Sequence, residues 1–291
     1  MKHTLMLLFS TFWLHSNACH LHNCSTSIDA HTVIQYDGVQ VAELFAQFQE
    51  AISLSESNNP VDVVVIDPGH GGNDKGCSGV NSREKIITLE ISKKLKALIE
   101  DQLPSIDVLL TRERDKFVSL KKRAALANEK KADIFISIHC NYLRNTPKFR
   151  GSETFVLGTD PDDLVSEALA IRENSSITFE SSYESTYDGF DPYSPESFIM
   201  FSMFQNLHLD NSIILAQLVD NELVNATKVP SHGVKQGAFV VLKETNMPSI
   251  LVEAGYLSNE IDEKLLLSTN GQNAIGHAIL NAIQAYKSNL E

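Results

Sequence analysis

Basic residues are scarce in this 291-residue chain: 24 Lys and Arg stand against 37 Asp and Glu, for a net charge of −13. That balance argues against nucleic acid or an anionic membrane surface as a partner. Hydrophobic runs of membrane-spanning length are also lacking, since the apolar stretch LMLLFSTFWL (Leu5–Leu14) is too short to cross a bilayer as a helix. Cysteine is sparse. Cys19, Cys24, Cys77 and Cys140 form no C-x-x-C pair, so a cysteine zinc site has no support. The short helical H-E-x-x-H of metalloproteases is absent, and so is any internal repeat. What remains is a chain that is 43% hydrophobic, long enough for one large domain or two small ones with ample core.

The N-terminus has the order of a secretion signal. Lys2 and His3 make a short polar start, the apolar run follows, and Ser16 and Ala18 occupy the −3 and −1 positions of a cut before Cys19. A signal peptide over residues 1–18 places the mature chain outside the cytoplasmic membrane, in the periplasm, with no transmembrane segment left in it. Ser16 stands where a lipoprotein signal carries Leu, which argues against a lipid anchor on Cys19. Residues 19–59 read as an N-terminal extension, polar and His-rich at first and weakly helical over Val39–Ser55. SESNNP (Ser55–Pro60) then breaks the chain, and residues 60–291 form the main domain. A Cys77–Cys140 disulfide is compatible with an oxidising compartment, although spacing cannot fix the pairing.

From Pro60 the pattern alternates. Strands are expected at 61–66 (VDVVVI), 106–112, 132–140, 151–158, 237–242 (GAFVVL) and 249–254 (SILVEA). Helices are expected at 83–101, 119–131, 163–173, 198–227 and 271–287. Strands alternating with helices predict an α/β domain with a mostly parallel twisted sheet flanked by helices on both faces. Residues 158–197 interrupt the rhythm. They hold ten acids against one base, Arg172, and read as a solvated surface insertion whose first part is helical.

Four residues share one place in this scheme. His70 follows the first strand, Glu84 opens the first helix, His139 ends ADIFISIH and Glu253 ends SILVE. In a parallel α/β sheet, strand C-termini and the helix N-termini after them lie along one edge, where such folds build their sites. Glu84 also begins the row Ile87, Ile91, Leu95, Leu98, so it sits on the buried helix face, where a carboxylate needs a partner. Each residue taken singly has an ordinary reading: a turn histidine, a helix-dipole acid, a core histidine, a strand-end acid. Together, two imidazoles and a carboxylate make the three-ligand set of a catalytic zinc, and the remaining carboxylate can take a proton from its water.

At these residues the chain resembles the zinc-dependent N-acetylmuramoyl-L-alanine amidases of the cell-division type. The matching pieces are DPGHGGNDKG, REKIITLEISKKL, LTRERD, KKRAALAN, ADIFISIHCN and GVKQGAFVVLKETNMPSILVEAGYLSN, in family order from Val61 to about Tyr286. The resemblance implies Zn2+ held by His70, Glu84 and His139, and Glu253 as the catalytic glutamate. It implies peptidoglycan as substrate, cut between muramic acid and L-alanine of the stem peptide, and leaves room for an activator or division-machinery protein as partner. Asp67, or a nearby backbone carbonyl, would then orient His70, and Asn141 would touch substrate or shape the site; Asp67 serves equally as a strand-end turn residue. In several relatives an acid on a helix of the insertion caps the zinc. Here Gly189, Pro192 and Pro195 oppose a long helix in TFESSYESTYDGFDPYSPE (178–196), which predicts an enzyme without a well-formed plug, with Glu180 or Glu184 as the acids in reach. His232 stands where relatives often have arginine. Two rivals remain: an inactive wall-binding scaffold, and a serine peptidase using SLKK (Ser119–Lys122), which lacks the accompanying K-T-G.

Overall fold

The computed structural model describes residues 61–158, 164–187, 189–194 and 207–290. The expected signal peptide, the extension with its weak helix at Val39–Ser55, and the start of the helix expected from residue 198 lie outside them.

A six-stranded sheet organises the domain. Its strands are β1 (Val63–Pro68), β2 (Asp107–Leu110), β3 (Ile134–Asn141), β4 (Ser152–Leu157), β5 (Ser231–Gly237) and β6 (Ser249–Tyr256), in the spatial order β2-β1-β3-β6-β4-β5. The pairs β2–β1, β1–β3 and β3–β6 are parallel, β4 runs antiparallel to β6, and β5 is parallel to β4. The longer helices are α1 (Glu84–Gln102), α2 (Leu120–Glu129), α3 (Leu164–Asn174), α4 (Leu209–Thr227), α5 (Glu260–Leu267) and α6 (Thr269–Leu290).

The period-2 pattern of β3 sorts its side chains between two cores. Ile134, Ile136, Ile138 and Cys140 join α1, α4 and α6 on one face, while Phe135 joins α2 and the first part of the insertion on the other. On α1 the expected stripe is buried at Ile87, Ile91 and Leu95, and it continues to Ile99. Both sheet faces are covered, which is why β1, β3 and β6 tolerate near-continuous apolar runs.

Two expectations need correcting. The strand expected at 237–242 is displaced: β5 is Ser231–Gly237, and Val240–Lys243 forms a single helical turn. As an edge strand β5 is only half-buried and lacks the apolar run that marks inner strands, whereas the Val-Val-Leu run is buried as a turn. The insertion does begin with a helix, but it is not merely solvated, because Leu169, Ala170, Glu173, Asn174 and Ile177 are buried.

Candidate metal centre and active site

The edge carrying the C-terminal ends of β1, β3 and β6 collects the expected residues. The turn after β1 bends back sharply, with His70 itself at φ 60°, a left-handed conformation that residues other than glycine seldom adopt. Close approach dictates glycine at two positions of this loop. A Cβ on Gly69 would lie 2.5 Å from the His139 ring, and one on Gly76 would lie 2.5 Å from Glu84 Oε2. Glu84 is the first residue of α1 and is fully buried. Its two oxygens accept from separate segments, Oε2 from the Cys77 N–H (2.7 Å) and Oε1 from the Cys140 N–H (2.9 Å), so the helix start is tied to both the His70 loop and β3.

His70 Nε2 lies 3.1 Å from Glu84 Oε1 and 3.1 Å from Glu173 Oε2. His139 Nδ1 lies 3.1 Å from each of the same two oxygens. All four donor atoms fall within 4.8 Å of one another, and all four residues are buried. The four imidazole–carboxylate contacts of 3.1 Å are close to the ligand–ligand edges of about 3.3 Å in a tetrahedral site, so the group could hold a metal ion. His70 Nε2 and Glu173 Oε2 are also buried without a hydrogen-bond partner despite those short distances, as expected of lone pairs aimed at a common centre rather than at one another.

The environment polarises these groups. Burial disfavours charge on the imidazoles, yet the carboxylates of Glu84 and Glu173 outweigh it and push His70 well above the usual histidine range; His139 is raised to about 9 by Glu173 and Glu84 against the same burial. Burial likewise opposes ionisation of Glu84 and Glu173, but the imidazoles hold both carboxyls below the ordinary range. Glu253 is the contrast. It pairs in register with His139 across β3–β6, is fully buried, and has no hydrogen-bond partner on either oxygen. Burial, then Glu173, pushes its carboxyl well above the usual range. Two sets of carboxyls driven in opposite directions can divide ionised groups facing the imidazoles from an acid that holds its proton.

Glu173 is the residue missed in the sequence. The acid in contact with the cluster comes from the end of α3, upstream of 178–196, and not from Glu180 or Glu184: Glu180 Oε1 accepts from the Tyr187 hydroxyl (2.6 Å), and Glu184 is exposed on a short helical turn. Neither of the two acids expected in reach, Glu180 and Glu184, enters the donor group; Glu173 does. The signal was present, because the buried positions Ser166, Leu169, Ala170 and Glu173 step by three and four along α3, as Glu84 does with its own stripe. Arg172 accompanies it. Its Nε donates to Glu173 Oε1 (2.9 Å), Nη1 to the Tyr142 carbonyl (2.9 Å) and Nη2 to Asn141 Oδ1 (3.1 Å), and Nη2 lies 3.9 Å from Glu253 Oε1.

The secondary expectations divide. Asp67 does not reach His70; it accepts from Arg123 Nη1 (2.6 Å), Ser137 Oγ (2.8 Å) and Thr111 Oγ1. The group on His70 Nδ1 is Asp74 Oδ2, at 2.8 Å, because the left-handed bend folds Asp74 back over the ring. Asn141 stands beside the site without joining the cluster, donating from Nδ2 to Glu153 Oε2 (2.9 Å). Cys77 and Cys140 are free thiols, both made poor acids chiefly by burial. His232 lies on β5, stacked on Phe149 at 4.4 Å between ring centroids. Ser119 is buried at the residue before α2, with no capping bond from its side chain, while Lys122 is exposed, which leaves SLKK an ordinary helix start. A cleft of about 390 Å³ opens beside the cluster between the 70–77 loop and the insertion, with Lys75, Arg172 and Phe179 on its walls.

Known proteins share this architecture. The sequence pattern of the N-acetylmuramoyl-L-alanine amidase family matches residues 64–285. The N-acetylmuramoyl-L-alanine amidase AmiC of Escherichia coli O6:H1 is 35% identical over 227 residues, covering 77% of this chain and 52% of that protein. AmiA of Salmonella typhimurium is 33% identical over 226 residues, covering 77% of this chain and 75% of that protein. The chain thus spans about half the length of the first relative and three quarters of the second. Among solved structures, an N-acetylmuramoyl-L-alanine amidase from Clostridium difficile 630 matches with a TM-score of 0.59 at 30% identity, covering 78% of this chain and 97% of that one. The CwlD amidase of Clostridioides difficile, solved in complex with the GerS lipoprotein, matches with a TM-score of 0.58 at 27% identity, covering 78% of this chain and 99% of that one. With the matched stretch running from the first strand into the last helix, the chain belongs to the N-acetylmuramoyl-L-alanine amidase family.

Proposed function

We propose that this protein is a zinc-dependent peptidoglycan amidase that hydrolyses the bond between N-acetylmuramic acid and L-alanine of the stem peptide, in cell-wall remodelling or cell division. The observation behind the reading is the set of four donor atoms related by 3.1 Å contacts, with an unpaired buried glutamate on the neighbouring strand. His70, Glu84 and His139 are the zinc ligands, and Asp67 and Asn141 shape their surroundings. When bound, zinc supplies Lewis acidity at the scissile carbonyl and lowers the pKa of a coordinated water to about 7.

The chain's own residues do the rest. Asp74 keeps the proton of His70 on Nδ1, which leaves the Nε2 lone pair facing the site. Glu253 takes a proton from the attacking water as the C–O bond forms at the lactyl carbonyl carbon. It returns that proton to the alanine nitrogen as the C–N bond breaks, yielding a carboxyl group and a free amine. Glu173, in contact with both imidazoles, would compete with water for a bound ion, and its charge adds to burial in pushing the Glu253 carboxyl above the usual range. The resting enzyme is accordingly held off until α3 moves, and the natural trigger is an activator or division-machinery protein that displaces the insertion. A signal peptide at 1–18 and an extension at 19–59 deliver the catalytic domain (60–291) to the periplasm. Among the described residues no helix is long and apolar enough to cross a membrane.

The test uses wild-type protein and Glu173→Gln side by side. Zinc content is measured, isolated peptidoglycan is digested, and released muropeptides are weighed by mass spectrometry. Intact stem peptides beginning with a free L-alanine amine, lost after EDTA and regained with zinc, support the reading. Cleavage inside the stem peptide, or full hydrolysis by metal-stripped protein, would sink it.

A further inference from the structure

We propose that Arg112 and Arg123 are positioning residues for the metal site: their two buried guanidiniums grip the backbone carbonyls of Pro68, Gly69 and His70 and so hold the left-handed turn that presents His70 Nε2. The inference rests on the metal reading above but names a part of the machinery that reading does not use.

Three successive carbonyls in the turn point at the same two side chains. The Pro68 oxygen accepts from both, from Arg112 Nε at 2.9 Å and Arg123 Nη1 at 2.8 Å. The Gly69 oxygen accepts from Arg112 Nη2 at 2.7 Å and from Thr88 Oγ1 at 3.0 Å. The His70 oxygen accepts from Arg123 Nη2 at 2.8 Å. Fixing these carbonyls fixes the peptide planes on both sides of His70 Cα, and hence the φ of 60° from which its ring projects toward Glu84 and His139. Arg112 Nη2 also donates to the Lys85 carbonyl at 2.7 Å, so the same guanidinium ties the turn to the start of α1, one residue past Glu84.

Ordinary fold stabilisation accounts poorly for this arrangement. Both arginines are almost wholly buried, at 1% and 2% exposure. Arg123 has Asp67 as a counter-ion, whereas the five hydrogen bonds of Arg112 among the described residues all end on carbonyl or hydroxyl oxygens. A buried cation without a carboxylate partner, next to a second cation, is an expensive way to fill space. Burial and the charge of Arg123 lower Arg112 to about 10, as that proximity demands. What a planar fork does that an apolar side chain or a lysine cannot is hold several carbonyls at fixed angles.

The test measures zinc affinity by competition with a chromogenic chelator, together with the Tm of the metal-free form, for wild type, Arg112→Lys, Arg123→Lys and Leu223→Ala. Leu223 is buried in α4 and serves as a control for general loss of stability. Each Lys variant should bind zinc at least about 10-fold more weakly, the scale seen when groups behind a metal ligand are removed, while the Leu223 variant loses Tm but keeps wild-type affinity. Wild-type affinity in both Lys variants, or an equal loss in the control, overturns the proposal. Should the arginine variants fail to fold, Thr88→Val, which removes one donor to the Gly69 carbonyl, should weaken zinc binding about 5-fold; unchanged affinity there also overturns it. Wild-type protein that binds no zinc defeats the metal reading, and this inference with it, and is told apart from the other outcomes by the first titration.

Discussion

Glu173 Oε2 stands 3.1 Å from His70 Nε2, the same separation as between that nitrogen and Glu84 Oε1. A residue of the insertion therefore stands as close to that imidazole as Glu84 does and completes the group of four donor atoms.

Replacing that acid should release the enzyme. Glu173→Gln should raise dye release from labelled peptidoglycan by about 5- to 150-fold over wild type, the usual span of a coupling between a regulatory contact and a site. A variant no more active than wild type, with zinc still bound, would show that Glu173 does not restrain the reaction.

The proton carrier gives the opposite result. Glu253→Gln should cost about 10²- to 10⁴-fold in kcat, the range of a lost general acid–base, and leave zinc stoichiometry unchanged. It is best measured in the Glu173→Gln background, where rates are high enough to compare. Loss of zinc together with activity would instead identify Glu253 as a ligand.

Asp74→Asn should weaken zinc binding by about 10- to 100-fold, because the amide no longer holds the Nδ1 proton of His70 by a charge-assisted bond. Asp67→Asn is a useful comparison. Asp67 bonds Arg123, Ser137 and Thr111 rather than the imidazole, so its loss should appear mainly in Tm. Equal losses of affinity in the two variants would count against Asp74 as the orienting group.

Metal-free protein should lose stability as pH rises. His139 is lifted from 6.5 to about 9 in the fold, so the folded state holds its proton more tightly than the unfolded chain does. The stabilisation is fully present below about 6.5 and disappears as pH climbs through about 9. Apparent zinc affinity should rise over the same interval, because the ion must displace those protons. Tm of the EDTA-treated protein and chelator competition, both followed from pH 6 to 9, check the two slopes. A metal-free Tm that climbs across that window would refute the assignment.

Much of this was legible in the sequence. β-branched runs and the stripe Ile87, Ile91, Leu95 reveal an α/β sheet because burial on one face or two imposes its own period. His70, Glu84, His139 and Glu253 could be grouped because strand ends and helix starts share an edge whatever the loops between them do. The edge strand β5 could not be read, since a half-buried strand has little reason to be apolar. Asp74 rather than Asp67 faces the imidazole because adjacency in sequence says nothing about where a left-handed turn sends the chain.

What the sequence determined by itself was the alternation of strands and helices and three members of the donor group, His70, Glu84 and His139, since these follow from local pattern. Only the tertiary structure decided which acid completes the cluster and which groups hold its ligands. One carboxylate among ten in an acidic insertion looks solvated until α3 packs on the sheet and buries it, and two arginines in separate segments look like surface charges until three carbonyls converge on them.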